Sequence, residues 1–112
     1  MKTYCFALDL HDDPMLIEEY KHYHRPESIW PGVLDHIRGS GILHETIYLT
    51  GNRLVMILEA NDDFSPEDEA AAGSASSAMQ QWEALMWKYQ KALPHAKPGQ
   101  KWMPMEKIFE VS

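Results

Sequence analysis

Three observations predict an α+β fold of ferredoxin-like type, with element order β-α-β-β-α-β. Apolar residues alternate with period two near the start of the chain, and two further apolar runs flank Thr50-Gly51-Asn52. Helix-start chemistry, with proline at the first helical position, precedes stretches of three- and four-residue apolar spacing. The order of these segments describes a split βαβ sheet carrying its helices on one face. The other face of such a sheet needs a cover. This predicts a homodimer packed sheet on sheet.

Tyr4, Phe6, Leu8 and Leu10 alternate with the smaller Cys5, Ala7 and Asp9, which reads as the first strand. Asp13 is placed to cap a helix that starts at Pro14 and turns Leu16, Ile17, Tyr20 and either Tyr23 or His24 inward. Pro26 drives Arg25 out of the α region, so this helix should end near His24. Trp30-Pro31 opens a second helix that buries Val33, Leu34 and Ile37 and stops at Gly39-Ser40-Gly41. Strands over 42–49 and 53–60 form a hairpin; the second, apolar without alternation from Leu54 to Leu58, should be central. Ser65-Pro66 starts a short helix expected to break at Gly73-Ser74. Ser76 or Ser77 then caps the longest helix, whose stripe runs Met79, Trp82, Met86, Tyr89 and Leu93 up to Pro94. A strand from Met103 to Val111 closes the chain, with Pro104 marking an edge or a bulge.

At 112 residues the chain has the size of one domain, spanning 1–112. A net charge of −7 argues against nucleic acid and anionic membrane surfaces as partners, since both require a basic stripe. Its single cysteine, Cys5, cannot form an internal disulfide and suits a reducing compartment. No apolar run approaches the roughly 20 residues of a membrane span. Asp9 interrupts the N-terminus too early for a signal peptide. The expected location is the cytoplasm.

The chemistry gathers between Tyr20 and Pro31. Tyr20 and His24 are four residues apart on one helical face, and the imidazole at a helix C-terminus should be biased towards its protonated form by the macrodipole. Such a histidine is usually a solvated cap, but Tyr20 and Trp30 nearby suggest a flat face for a sugar ring with polar groups at its rim. Glu45, on the strand before the hairpin, is either an exposed strand residue or a carboxylate aimed between sheet and helix. Trp82 lies in the core stripe, whereas Trp87 lies off it near Glu83. Glu106 and Glu110 read as an outward strand face. His22 sits about 200° from His24 around the helix, so the pair cannot chelate one ion, and no zinc or haem spacing occurs. Phosphate-binding loops and nucleophile elbows are absent. No metal and no coenzyme are expected.

These residues form an ordered set: Glu19-Tyr20 with His24, Pro26, Ile29-Trp30-Pro31, Gly41, Ile47-Tyr48-Leu49, Gln81-Trp82, Trp87-Lys88-Tyr89, Leu93-Pro94, and Glu106 with Ile108-Phe109. Through them the whole chain resembles the L-rhamnose mutarotase family. The resemblance implies a dimeric α+β barrel and a cytoplasmic sugar epimerase. It also implies His24 as proton donor, Tyr20 as a substrate contact and Trp82 as a wall of the sugar site. Two departures concern the pocket: Glu45 and Glu83 stand where the rhamnose-type pattern has a tyrosine and a second tryptophan. The loop before Trp30 also carries the insertion Glu27-Ser28. The sugar is therefore L-fucose or L-rhamnose, both 6-deoxy-L-hexoses. The expected reaction is interconversion of α and β anomers by acid/base ring opening. His24 would handle the proton at the ring oxygen and Glu45 would act at the anomeric hydroxyl or merely grip another one, while Tyr20, Trp30, Trp82 and Trp87 would contact the sugar. The rival from another class is a ferredoxin-like dimer that binds or oxidises an aromatic or haem-like ligand.

Overall fold

The computed structural model describes residues 1–112. Strand β1 (Lys2–Leu10) pairs antiparallel with β3 (Arg53–Ala60), which pairs antiparallel with β2 (Ile42–Thr50). Strand β3 is thus central, as its unbroken apolar run requires. The register sets Tyr4 opposite Leu58, Phe6 opposite Met56 and Leu8 opposite Leu54, so the large side chains share one face. That face carries the helices. Cys5, Ala7, Val55 and Ile57 point to the other face, which no helix of this chain covers; they are half-buried, with residues 93–95 and 103–106 bordering Ala7 and Val55.

Helix α1 (Pro14–Tyr23) begins as its sequence dictates: the Asp13 carboxylate accepts from the N–H groups of Met15 and Leu16, and Pro14 occupies the first turn. It ends at His24. Helix α2 (Pro31–Gly39) buries Val33 and passes close to α4 (Ser77–Met86). Gly32 permits that approach, since a β-carbon there would meet the Cβ of Ala78 at 2.8 Å. The core is built where these helices meet the sheet, from Leu10, Tyr20, Val33, Leu54, Trp82, Met86 and Tyr89. A smaller cluster of Ile42, Leu58, Ala60 and Phe64 sits beside it.

The chain departs from sequence expectation in three elements. Helix α3 (Pro66–Ala75) runs through Gly73-Ser74 without breaking. A glycine inside a helix costs only about 1 kcal/mol, and the surrounding alanines offset it. Ser76 ends α3 and also caps α4 by accepting from the N–H of Met79. Helix α4, at ten residues, is no longer than α1 or α3 and stops at Met86 instead of Leu93. Tyr89 and Leu93 are buried as their spacing suggested, but Gln90–Lys91 forms strand β4 against Asp9 and Leu10. The free edge of β1 supplies backbone partners that outweigh continuing the helix. Third, the closing strand is far shorter than 103–111: β5 (Met103–Pro104) pairs with Phe6 and Ala7, and Met105 adds one bond to Cys5. Beyond it Ile108, Phe109 and Val111 are exposed, their alternation unmatched by any strand of this chain. The fourth position of the fold is therefore shared between two short strands, giving the order β2-β3-β1-β4 with β5 on the same edge of β1.

Candidate active site

The end of α1 places an imidazole against a buried phenol. The ring centroids of Tyr20 and His24 lie 4.3 Å apart, as residues one turn apart on a helix should. The Nδ1 of His24 is 2.7 Å from the backbone carbonyl of Tyr20. A carbonyl can only accept, so Nδ1 carries the hydrogen and Nε2 is left with its lone pair in the neutral ring. The macrodipole expectation fails here. Burial lowers the His24 pKa below its ordinary value, and the bond to the Tyr20 carbonyl offsets this only in part.

Tyr20 is 4% exposed, and its hydroxyl accepts a hydrogen bond from the Gln90 amide at 3.3 Å. Burial pushes its pKa up to about 12 despite that bond, with the Glu83 and Glu45 carboxylates adding to the rise. The phenol therefore stays protonated and free to donate. Trp82 meets both His24 and Trp30 edge-on, at 5.4 and 5.2 Å between centroids. A small recess of about 170 Å³ opens beside Tyr20 and His24, bordered by Ile47, Leu49 and Leu54 from the sheet. Trp87 does not join this group. It follows the end of α4, is 41% exposed, and holds the Lys101 ammonium 4.5 Å over its ring.

Glu45 reaches the helix face of the sheet through a backbone irregularity. A bulge between Ile42 and His44 takes up Leu43, so Ile42 and Glu45 both lie on the core side, opposite Ala60 and Leu58. The aimed carboxylate, of the two alternatives, is the one observed. Burial raises the Glu45 pKa to about 7, and the Glu69 carboxylate of α3 raises it further in the same direction. Glu69 is itself raised by burial, against the opposing pull of His36, whose Nε2 lies 3.7 Å away. Glu83 is paired with Lys101. Between α2, α3 and α4 lies a cavity of about 500 Å³ whose lining includes His36, Glu69, Met79, Glu83, Lys101 and Trp102 but not Glu45.

Sequence reasoning missed His36, Glu69 and Gln90. His36 was legible in principle, because it follows Val33 by three residues on the inward face of its helix. Gln90 was hidden by the supposed extension of α4. No three His, Cys, Asp or Glu side chains converge closely enough to hold a metal ion. No helix is long and apolar enough to cross a membrane.

The sequence profile of L-rhamnose mutarotase matches residues 3–111. The chain belongs to the L-rhamnose mutarotase family. An L-fucose mutarotase of Xanthomonas campestris pv. campestris is 43% identical to it, over all of this chain and 90% of that protein. This mutarotase fold also superposes on the crystal structure of an L-rhamnose mutarotase from Formosa agariphila with a TM-score of 0.71, at 17% identity over the full length of both chains. A type-II polyketide cyclase, tetracenomycin F2 cyclase from Streptomyces glaucescens, matches with a TM-score of 0.65 and 13% identity, covering all of this chain and 98% of that one. At such identities both structures speak to the fold alone. Mutarotases of this family are carbohydrate isomerases that use no coenzyme. The family match and the 43% identical relative favour that reading over an aromatic- or haem-binding dimer.

Proposed function

We propose that the protein interconverts the α and β anomers of a 6-deoxy-L-hexopyranose, with L-fucose ahead of L-rhamnose as substrate. One observation carries the mechanism: a half-buried His24 whose pKa burial lowers donates its Nδ1–H to the Tyr20 carbonyl, leaving Nε2 free as a base. We assign as its acid the Glu45 carboxyl, which burial on the helix face of the sheet raises to a pKa of about 7. Ring opening needs a base for the proton on the anomeric hydroxyl and an acid for the ring oxygen. His24 Nε2 takes the first proton, and the protonated form of Glu45 gives the second. The C1–O5 bond breaks, the C1–O1 bond becomes a carbonyl, and rotation about C1–C2 presents the other face of the aldehyde. Closure runs the same transfers backwards, so His24 donates on the return. A proton-bearing Tyr20 orients the sugar. Trp82 and Trp30 form an apolar wall suited to the C6 methyl. Each proton transfer needs to contribute only about 10²–10⁴-fold, because the reaction already proceeds in water.

Two features support L-fucose. Carboxylates at 45 and 83 replace the aromatic residues of the rhamnose-type pattern, and the 43% identical relative bears the name L-fucose mutarotase. Trp87, outside the ring cluster and under the Lys101 ammonium, is given no part in this step. We further propose that the protein acts in the cytoplasm as a homodimer. Its helix-free sheet face of half-buried Cys5, Ala7, Val55 and Ile57, together with exposed Ile108, Phe109 and Val111, supports a second copy as the cover. NMR saturation transfer between anomeric protons tests the activity. Exchange faster than the buffer background is expected on L-fucose and, more slowly, on L-rhamnose. Background rates on both would overturn the assignment.

A further inference from the structure

The ring cluster around His24 leans on a polar group that the ring-opening step does not use. Gln90 stands opposite Leu10 where β4 pairs with β1, so its side chain shares the core face with that leucine, and the residue is 4% exposed. Its Nε2 donates to the Tyr20 hydroxyl at 3.3 Å, and its Oε1 is buried with no partner. An amide buried with an idle carbonyl is costly, and a position that served packing alone would shed the cost with an aliphatic residue. The free edge of β1 thus does more than stop α4 short. It draws the backbone of Gln90 and Lys91 into the sheet and carries an amide to the phenol.

That bond has a direction. A phenol owns one hydrogen and accepts through its oxygen, whereas an amide nitrogen only donates. Gln90 therefore occupies the oxygen of Tyr20 and offers nothing to its hydrogen. Turning the amide over would bury an NH2 group without an acceptor in place of the carbonyl, and buried N–H groups go unpaired less often than carbonyls. No group of the chain accepts the Tyr20 hydrogen, and Tyr20 borders the recess of about 170 Å³ beside His24.

We propose that Gln90 is a positioning residue for the reaction: its amide fills the acceptor side of the Tyr20 phenol and so turns the O–H towards the sugar held at His24. The inference rests on the mutarotase reading. A phenolic O–H lies in the plane of its ring and is free to turn to either side when nothing holds it. A donor fixed on one side leaves the other for the hydrogen. The choice is then made before the sugar binds, and orientation set in advance is what a positioned group contributes. Gln90 touches no sugar and acts through a residue that does.

The test is a double-mutant cycle on kcat/KM for L-fucose, read by anomeric saturation transfer in the unaltered protein, Gln90→Met, Tyr20→Phe and the variant carrying both changes. Methionine keeps the length of glutamine, donates no such bond and removes the idle carbonyl, so the fold should hold; should it not, Gln90→Leu enters the same cycle. Gln90→Met should lower kcat/KM about two- to fivefold while Tyr20 is present, and should cost nothing further in the Tyr20→Phe background. In protein carrying 13C at the tyrosine ring carbons, the Cζ signal that Tyr20→Phe removes should move in Gln90→Met, because that carbon reports the bond its oxygen accepts. A purely structural glutamine would lower the rate by the same factor in both backgrounds, which would overturn the inference. So would an unmoved rate, an unmoved Cζ signal, or a rate that rose, the last meaning that the amide accepts the hydrogen and holds it back. In each of those cases the unaltered protein still interconverts the anomers. No acceleration by the unaltered protein would overturn the mutarotase reading and this inference with it.

Discussion

The two ends of the proposed site are built on opposite principles. At the α1 end the rings form a chain of contacts, Tyr20 tilted on His24 and Trp82 edge-on to both His24 and Trp30. At the α3 end, Glu45, Glu69 and His36 are held near one another with little direct bonding, and their charges perturb each other. The first end uses packing to set geometry. The second uses burial to set protonation. A ring-opening catalyst needs both, since a fixed base is useless without an acid that still holds its proton near neutrality.

Removing the imidazole should have the largest effect. His24→Ala should slow anomer exchange by about 10²–10⁴-fold, the usual worth of one general acid/base. Trp82 and Tyr20 keep their remaining contacts, so circular dichroism should show an unchanged fold. A folded His24→Ala protein exchanging anomers at the normal rate would remove the aromatic end from the chemistry.

Glu45→Gln tests the other end, and here activity and stability should move in opposite directions. Exchange should fall about 100-fold with the loss of its proton transfer. The sign for stability follows from a folded pKa of about 7 against the ordinary 4.5. A raised carboxyl stabilises the fold fully below the unfolded value, and that contribution is lost as pH rises through about 7. Above pH 7 the ionised, buried carboxylate is a liability of about 3 kcal/mol, which glutamine removes. Thermal melts at pH 8 should therefore show the variant more stable than the parent, with the difference vanishing near pH 4.

The contrast also explains which end was legible in the sequence. Tyr20, His24, Trp30 and Trp82 sit at helical spacings or beside capping prolines, so local rules bring them towards one another. The strand order was legible for the same reason, from hairpin and cap signals acting over a few residues. The carboxylate end depends on events without local signature: a bulge that swallows Leu43, a helix that runs through Gly73, and approach of α2 to α3. The end of α4 was misread because Tyr89 and Leu93 obey helical spacing while the open edge of β1 claims Gln90 and Lys91. Periodicity reports which side chains are buried. It does not report which backbone they hang from.

The pH profile should separate the two ends in one experiment. His24 must be neutral to accept a proton, so kcat/KM should fall on the acid side, below the ordinary histidine value of 6.5. Glu45 must be protonated to donate, so activity should also fall above about 7. The expected result is a narrow bell, each limb losing up to about tenfold per pH unit. Glu69→Gln removes the neighbouring charge and should move only the alkaline limb, towards lower pH. A shift of the acid limb instead would mean that the proton-bearing roles are exchanged.

The smallest effect is expected at the Tyr20 hydroxyl. It accepts from Gln90, whose own Oε1 is buried without a partner. Tyr20→Phe should leave the His24 ring in place, because Nδ1 bonds to the backbone carbonyl and not to the phenol. The rate should fall by about tenfold or less, an orienting contribution smaller than that of a proton carrier. Stability should fall by about 1–3 kcal/mol, since the Gln90 amide loses its acceptor in a dry site. Tyr20→Phe/Gln90→Leu, which removes both partners, should recover much of the stability and none of the rate. A double variant that regained activity would show that the hydroxyl serves the fold and not the sugar.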